Sequence, residues 1–171
     1  MSRVVRSEIE RKYLIRYPDP EMLRALPECE KWEITQVYLM NGPGGVSRRI
    51  RRVLTNGEIH YYQTFKRRIT EMSCEEEERE IASELYERLF RERDTRRQPI
   101  LKTRYRVPYE GHILEFDIFP FWQDRALMEI ELSSEDEVAR IPDYVSIIRD
   151  VTSDRAYKNR QLARRVPMEP V

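Results

Sequence analysis

The chain has 171 residues, of which 36% are charged, and its 31 Lys and Arg balance 31 Asp and Glu to a formal net charge of zero. This length, with 40% hydrophobic residues, predicts one domain over 1–171 with its own core and excludes a disordered chain. Zero net charge excludes holding nucleic acid or anionic lipid by bulk electrostatics, so any anion site must be local.

The start, MSRVVRSEIERK, has no apolar signal core, and no run approaches the roughly 18 apolar residues of a membrane span. A soluble, cytoplasmic protein is expected, with no membrane partner. Strand-like runs then alternate with turn signals. The first strand is expected over 6–16, and Pro18 and Pro20 introduce a short helix over 20–26. Strands follow over 34–40 and 46–54, separated by Gly42, Gly44 and Gly45 in a turn; no phosphate-binding glycine motif occurs. Asn56-Gly57 reads as a primed hairpin turn into a strand over 58–68, and a further strand is expected over 72–80. Leu85, Leu89 and Phe90 stand at helical spacing in a helix over 82–93. Strands over 99–108 and 112–119 flank a Glu110-Gly111 turn, and the last strand is expected over 126–133. Ser134 to Glu137 has the capping-box form for a helix over 135–140. Asp154 is the N-cap expected for a helix over 154–165, and the tail from Val166 to Val171 is expected to fray. Cys29 and Cys74 stand apart and are expected as buried thiols; with His60 and His112 each alone, neither a zinc site nor a disulfide framework is indicated.

The informative feature is the period-two spacing of charge within the strands. Glu8, Glu10 and Lys12 share one strand face while Ile9, Arg11, Tyr13 and Ile15 share the other. Arg49 and Arg51 flank Ile50, Lys66 and Arg68 follow Thr64, and Lys102, Arg104 and Arg106 alternate with Leu101, Thr103 and Tyr105. Glu76 and Glu78 lie in an acidic run, Glu115 and Asp117 flank Phe116, and Glu129 and Glu131 flank Ile130. One such strand is explained by a solvated sheet face. Seven of them, segregated by sign, repel internally unless acidic and basic strands meet. Closing about eight antiparallel strands into a barrel with the charged faces inward brings them together, leaving the apolar faces outward under helices. The fold expected is therefore α+β, a closed eight-stranded tunnel flanked by a few helices. Buried charges need counter-ions. Clustered glutamates suit hard divalent cations, Mg²⁺ or Mn²⁺, and clustered Lys and Arg suit phosphoryl oxygens.

Glu8-Ile9-Glu10-Arg11-Lys12 resembles the ExExK signature of the CYTH, or triphosphate tunnel metalloenzyme, family. The following motifs match in order: Arg49-Ile50-Arg51, Thr64-Phe65-Lys66, Glu76-Glu77-Glu78, Lys102-Thr103-Arg104-Tyr105, Leu114 to Asp117, and Met128 to Glu131. The run Glu75 to Glu78 leaves the register of its strand open. Arg155 to Leu162 resembles the C-terminal helix that plugs one side of the tunnel. Cys74 stands where members often carry a basic residue. The histidine-phenylalanine pair of class IV adenylate cyclases is absent, Val4, Val5, Arg6 and Ser7 standing in its place.

The resemblance implies metal-dependent hydrolysis of a linear triphosphate, above all inorganic tripolyphosphate. Glu8, Glu10, Glu129 and Glu131 would ligate a divalent ion, Mg²⁺ or Mn²⁺, and Glu76, Glu78 and Asp117 would complete a second site. Lys12, Arg49, Arg51, Lys66, Lys102 and Arg104 would grip the phosphoryl oxygens, with Arg155 and Lys158 reaching in from the plug. Lys66 is the candidate for donating a proton to, or neutralising, the departing oxygen, beside Glu8 and Glu10 at the metal. Alternatives are hydrolysis of thiamine triphosphate or of nucleoside or RNA 5′-triphosphates, a cyclase, and a non-catalytic polyphosphate-binding module. Tyr38, Tyr61, Tyr62, Phe121 and Trp122 are the aromatic candidates for stacking a base or thiazolium. No nucleic-acid partner is expected, and the sequence is silent on oligomeric state.

Overall fold

The computed structural model describes residues 3–171, with side chains from Arg6 onward; Met1 and Ser2, with which the predicted domain begins, lie outside the described residues. Nine strands form: β1 (Arg3–Arg16), β2 (Glu30–Tyr38), β3 (Ser47–Thr55), β4 (Glu58–Arg68), β5 (Ser73–Ile81), β6 (Ile100–Tyr109), β7 (His112–Ile118), β8 (Arg125–Glu131) and β9 (Ile147–Asp150). All pair antiparallel in the order β5-β4-β3-β2-β6-β7-β8-β1, and a β5–β1 pairing closes these eight into a barrel. The N-terminal half of β1 pairs with β5 from Arg3 to Ile9, and β9 takes the vacated edge opposite Tyr13 to Ile15. Two hairpins turn as their sequences dictate. Asn56 and Gly57 have φ of 51° and 75°, Glu110 and Gly111 have 50° and 77°, the left-handed pair that a primed two-residue turn requires.

Helices and loops cover large apolar parts of the outward face, while Leu101 and Ile59 remain exposed. Helix α1 (Pro20–Ala25), capped by Asp19, inserts Leu23 against Ile15, Phe116, Met128 and Ile130. Helix α2 (Ser83–Arg91) lays Tyr86 and Leu89 on Val37, Ile50 and Ile81. Each fully buried aliphatic contributes about 1.5–3 kcal/mol, so the barrel is held together from outside while its lumen is left to charge. A third cluster closes one end: Leu14 and Leu127 meet Phe119, Trp122, Tyr157 and Leu162.

Four expectations need correction. The helix over 135–140 does not form. The Glu137 carboxylate does reach back to the Ser133 N–H and hydroxyl, both at 2.6 Å, but Pro142 lies too near for a helix to continue. The chain there instead packs Ala139, Ile141 and Val145 onto the barrel. The C-terminal helix is broken into a 3-10 turn (Arg155–Tyr157), capped by Asp154, and α3 (Asn159–Leu162), because Lys158 between them has extended backbone, ψ 137°. The tail is pinned where the Trp122 indole donates to the Pro167 carbonyl at 2.8 Å. Cys29 is only half-buried, whereas Cys74 is buried. Among the described residues no helix is long and apolar enough to cross a membrane.

Candidate active site

Arg6, Glu8, Glu10 and Lys12 of β1 face the lumen, and the register propagates that parity around the barrel. Glu8 lies opposite Cys74, Glu10 opposite Glu131 and Lys12 opposite Glu129. Lys66 lies opposite Glu76 and Thr64 opposite Glu78, so Glu76 and Glu78 are the inward residues of β5 and the open register is resolved. The result is one cavity of about 530 Å³. Of the expected residues, Glu8, Glu10, Lys12, Arg49, Arg51, Lys66, Glu76, Glu78, Arg104, Glu129, Glu131, Arg155 and Lys158 line it. Lys102 and Asp117 do not. Both side chains have no solvent exposure, and Lys102 Nζ sits 2.8 Å from Asp117 Oδ2. Arg104 holds the same carboxylate in a fork, Nε to Oδ1 at 2.7 Å and Nη2 to Oδ2 at 2.8 Å. With both oxygens committed, Asp117 orients Arg104 from behind the wall.

Opposite charges answer one another across the lumen. Lys12 pairs with Glu129 at 3.0 Å, Lys66 with Glu8 at 3.1 Å and Glu76 at 3.6 Å, and Arg49 with Glu76 at 3.7 Å. Burial raises the Glu8 carboxyl, but Lys66 and Arg49 outweigh it and bring it down to about 2. Glu10 goes the other way: burial and the neighbouring Glu129 charge lift it to about 7. Burial pulls Lys66 down, yet Glu10 and Glu8 hold it above the ordinary lysine value, so it is a permanent cation. Lys102 is drawn to about 7 by burial, against Asp117 and with Arg104 and Arg51.

Four polar atoms of the lining are left over: Glu76 Oε2, Arg49 Nε, Asn159 Oδ1 and Arg160 Nη1 are buried without hydrogen-bond partners. A Glu76 oxygen held only by ion pairs of 3.6 and 3.7 Å, and a Glu10 carboxyl pushed up by burial and its acidic neighbour, fit a guest that is itself a hard cation. Among the described residues no three carboxylate or thiol groups converge closely enough to hold an ion as they stand; Lys12, Lys66 and Arg49 occupy them instead. Cys74, at the position where the resembled family often carries a basic residue, approaches Glu8 Oε2 at 3.5 Å, and burial pushes its thiol up to about 11. It is a neutral wall residue.

The plug enters as expected but through its turns. Lys158 Nζ donates to the Thr152 carbonyl at 2.6 Å, and Lys12 Nζ to the Tyr157 carbonyl at 3.4 Å. Of the aromatic candidates, only Tyr38 lines the cavity. Tyr61 packs on Tyr86, and Phe121 and Trp122 belong to the apolar cluster at the closed end. Sequence reasoning missed Arg6, Trp32 and Arg160 as lining residues and did not carry Arg68, Arg106 and Glu115 from the charge alternation into the site. Arg6 shares the parity of Glu8, and Arg106 that of Arg104, so alternation alone would have found both. Arg106 stacks over Trp32, 4.6 Å from the ring centroid.

The sequence matches no family model. An inorganic triphosphatase of Nitrosomonas europaea is 32% identical over 165 residues, spanning 94% of this chain and 99% of that protein. The crystal structure of an inorganic triphosphatase is similar in fold, with a TM-score of 0.57 and 28% identity over 94% of this chain and 100% of that one. A Pyrococcus horikoshii protein has the same fold, with a TM-score of 0.57, 20% identity, and 75% and 80% of the two chains covered.

Proposed function

The chain belongs to the CYTH, or triphosphate tunnel metalloenzyme, family, and on that premise we propose that it hydrolyses inorganic tripolyphosphate to pyrophosphate and phosphate. The observation that carries this reading is the single cavity in which carboxylates and cations alternate around the wall. A pure anion binder gains nothing from so many acidic groups facing its ligand. The acidic set is a divalent-ion site, and the basic set is a phosphoryl grip.

Glu8, Glu10, Glu129 and Glu131 would hold a divalent ion, Mg²⁺ or Mn²⁺, with Glu76 and Glu78 available to a second. Such an ion, when bound, supplies charge neutralisation at the phosphoryl oxygens and a more acidic water. The chain's own residues position the substrate. Lys12, Arg49, Arg51 and Arg104 hold the phosphoryl oxygens, Lys158 and Arg155 extend the grip from the plug, and Lys102 with Asp117 fixes Arg104 from behind. Phosphoryl transfer rests mainly on such positioning and charge stabilisation. As water oxygen bonds to the terminal phosphorus, the P–O bond to the bridging oxygen breaks. Lys66, flanked by Glu8 and Glu76, meets the negative charge left on the departing pyrophosphate.

Phosphate release tests this with tripolyphosphate, pyrophosphate, ATP and thiamine triphosphate as substrates, in Mg²⁺, Mn²⁺ and EDTA. Tripolyphosphate is expected to turn over fastest, and EDTA to abolish release. Equal or faster turnover of ATP or thiamine triphosphate would replace the inorganic substrate by that one.

A further inference from the structure

Arg160 is a cation that the wall of the tunnel leaves unanswered. It stands in α3 and lines the cavity, with its guanidinium over the Tyr38 ring at 5.5 Å from the centroid. Lys12, Lys66 and Arg104 face carboxylates. Arg160 makes no ion pair among the described residues, and its Nη1 is buried with no hydrogen-bond partner. Arg49 lies directly across the β2–β3 pairing from the same tyrosine, is 9% exposed, and has its Nε buried and equally unpartnered. Both guanidinium groups thus flank one tyrosine with a buried donor that has no acceptor, and each such donor is costly. An anion between them relieves both.

We propose that Arg160 binds the terminal phosphoryl group at the plugged end of the triphosphate, together with Arg49 Nε. This rests on the triphosphatase reading. A terminal phosphoryl group carries more ionisable oxygens than an internal one, so it is the part of the chain that two cations recognise best, through charge-assisted hydrogen bonds. The placement does not depend on the side chain itself. The plug is tied to the barrel through backbone: the Arg160 carbonyl accepts from Arg97 Nη1, and the Ala163 carbonyl accepts from the Gln98 N–H at 2.6 Å. Arg160→Met therefore keeps both ties and the packing over Tyr38 while removing the charge.

Calorimetric titration of tripolyphosphate into the full-length protein in EDTA reads the contact without turnover. Arg160→Met is expected to weaken Kd at least tenfold, Arg160→Lys by less, and the exposed Arg164→Met not at all. With Mg²⁺ present, KM for tripolyphosphate rises in Arg160→Met while its melting temperature stays near wild type. Should Arg160→Met not fold, Arg160→Lys, which keeps charge but loses the fork, must still weaken binding. Wild-type Kd in the folded variant overturns the role of Arg160 and leaves the triphosphatase reading standing. A wild-type protein that neither binds nor hydrolyses tripolyphosphate overturns both.

Discussion

Glu129 meets Lys12 at 3.0 Å and Arg104 at 3.8 Å, and burial, which raises its carboxyl, is outweighed by those cations so that it stays ionised. Glu129→Gln keeps the shape and loses the charge. Steady-state assays should show turnover falling at least about tenfold and partly recovering as divalent ion is raised, because ligand charge sets affinity. Arg51 has a different environment: its Nε donates to Gln36 Oε1 at 2.8 Å, and among the described residues it makes no ion pair. Arg51→Ala should raise KM roughly 10–100-fold, and extra metal should not help. Wild-type kinetics in both variants at limiting metal and substrate would remove them from the site. Asp117 is a matter of stability. Removing it leaves the buried Lys102 without its ion-pair partner and Arg104 without its fork, though Glu115 still holds Arg104 at 3.1 Å, so Asp117→Ala should cost about 3–5 kcal/mol in urea unfolding; a loss below about 1 kcal/mol would contradict its part as their common counter-ion. Most of these residues were legible in the sequence because parity is absolute along a strand. Arg160 was not, since it lies where Lys158 interrupts the helix, and no periodicity carries across an interruption. Trp32 was hidden because the sequence places the start of β2 at 34, whereas Glu30, Lys31 and Trp32 already pair with Arg106, Tyr105 and Arg104.

The strands were the most legible elements, their alternation being enforced by a charged lumen on one side and an apolar coat on the other. Short elements were less so. β9 is four residues long and exists only because β5 leaves the edge of β1 free, a tertiary circumstance with no local signal. The expected C-terminal helix formed as two turns because its task is to cap the barrel end with Tyr157 and Leu162 and still aim Lys158 inward. This division makes the plug separable from the barrel. Leu162→Ala should lower stability by about 2–5 kcal/mol. Hydrogen exchange should quicken in 155–163 well before it quickens in β3, β4 and β6. Uniform acceleration across the chain would show that plug and barrel unfold as one unit.

For the whole molecule, the barrel inverts the usual arrangement of a β-protein, with its apolar contacts outside under helices and its ion pairs within. The lumen then contributes least to stability when empty of guests, and a bound polyanion relieves its cationic half. Tripolyphosphate at 100 times its Kd should stabilise the protein by about 2.7 kcal/mol, which for a domain of this size raises Tm by roughly 5–10 °C. An unchanged Tm in calorimetry would mean that the lumen does not bind the anion. Hydrolysis is the larger claim, and ³¹P NMR of tripolyphosphate incubated with the protein tests it most directly. The terminal and internal phosphorus signals should vanish together in the presence of Mg²⁺ or Mn²⁺, replaced by pyrophosphate and phosphate in equal molar amounts, and persist in EDTA. Persistence of the tripolyphosphate signals with either metal present would contradict the account.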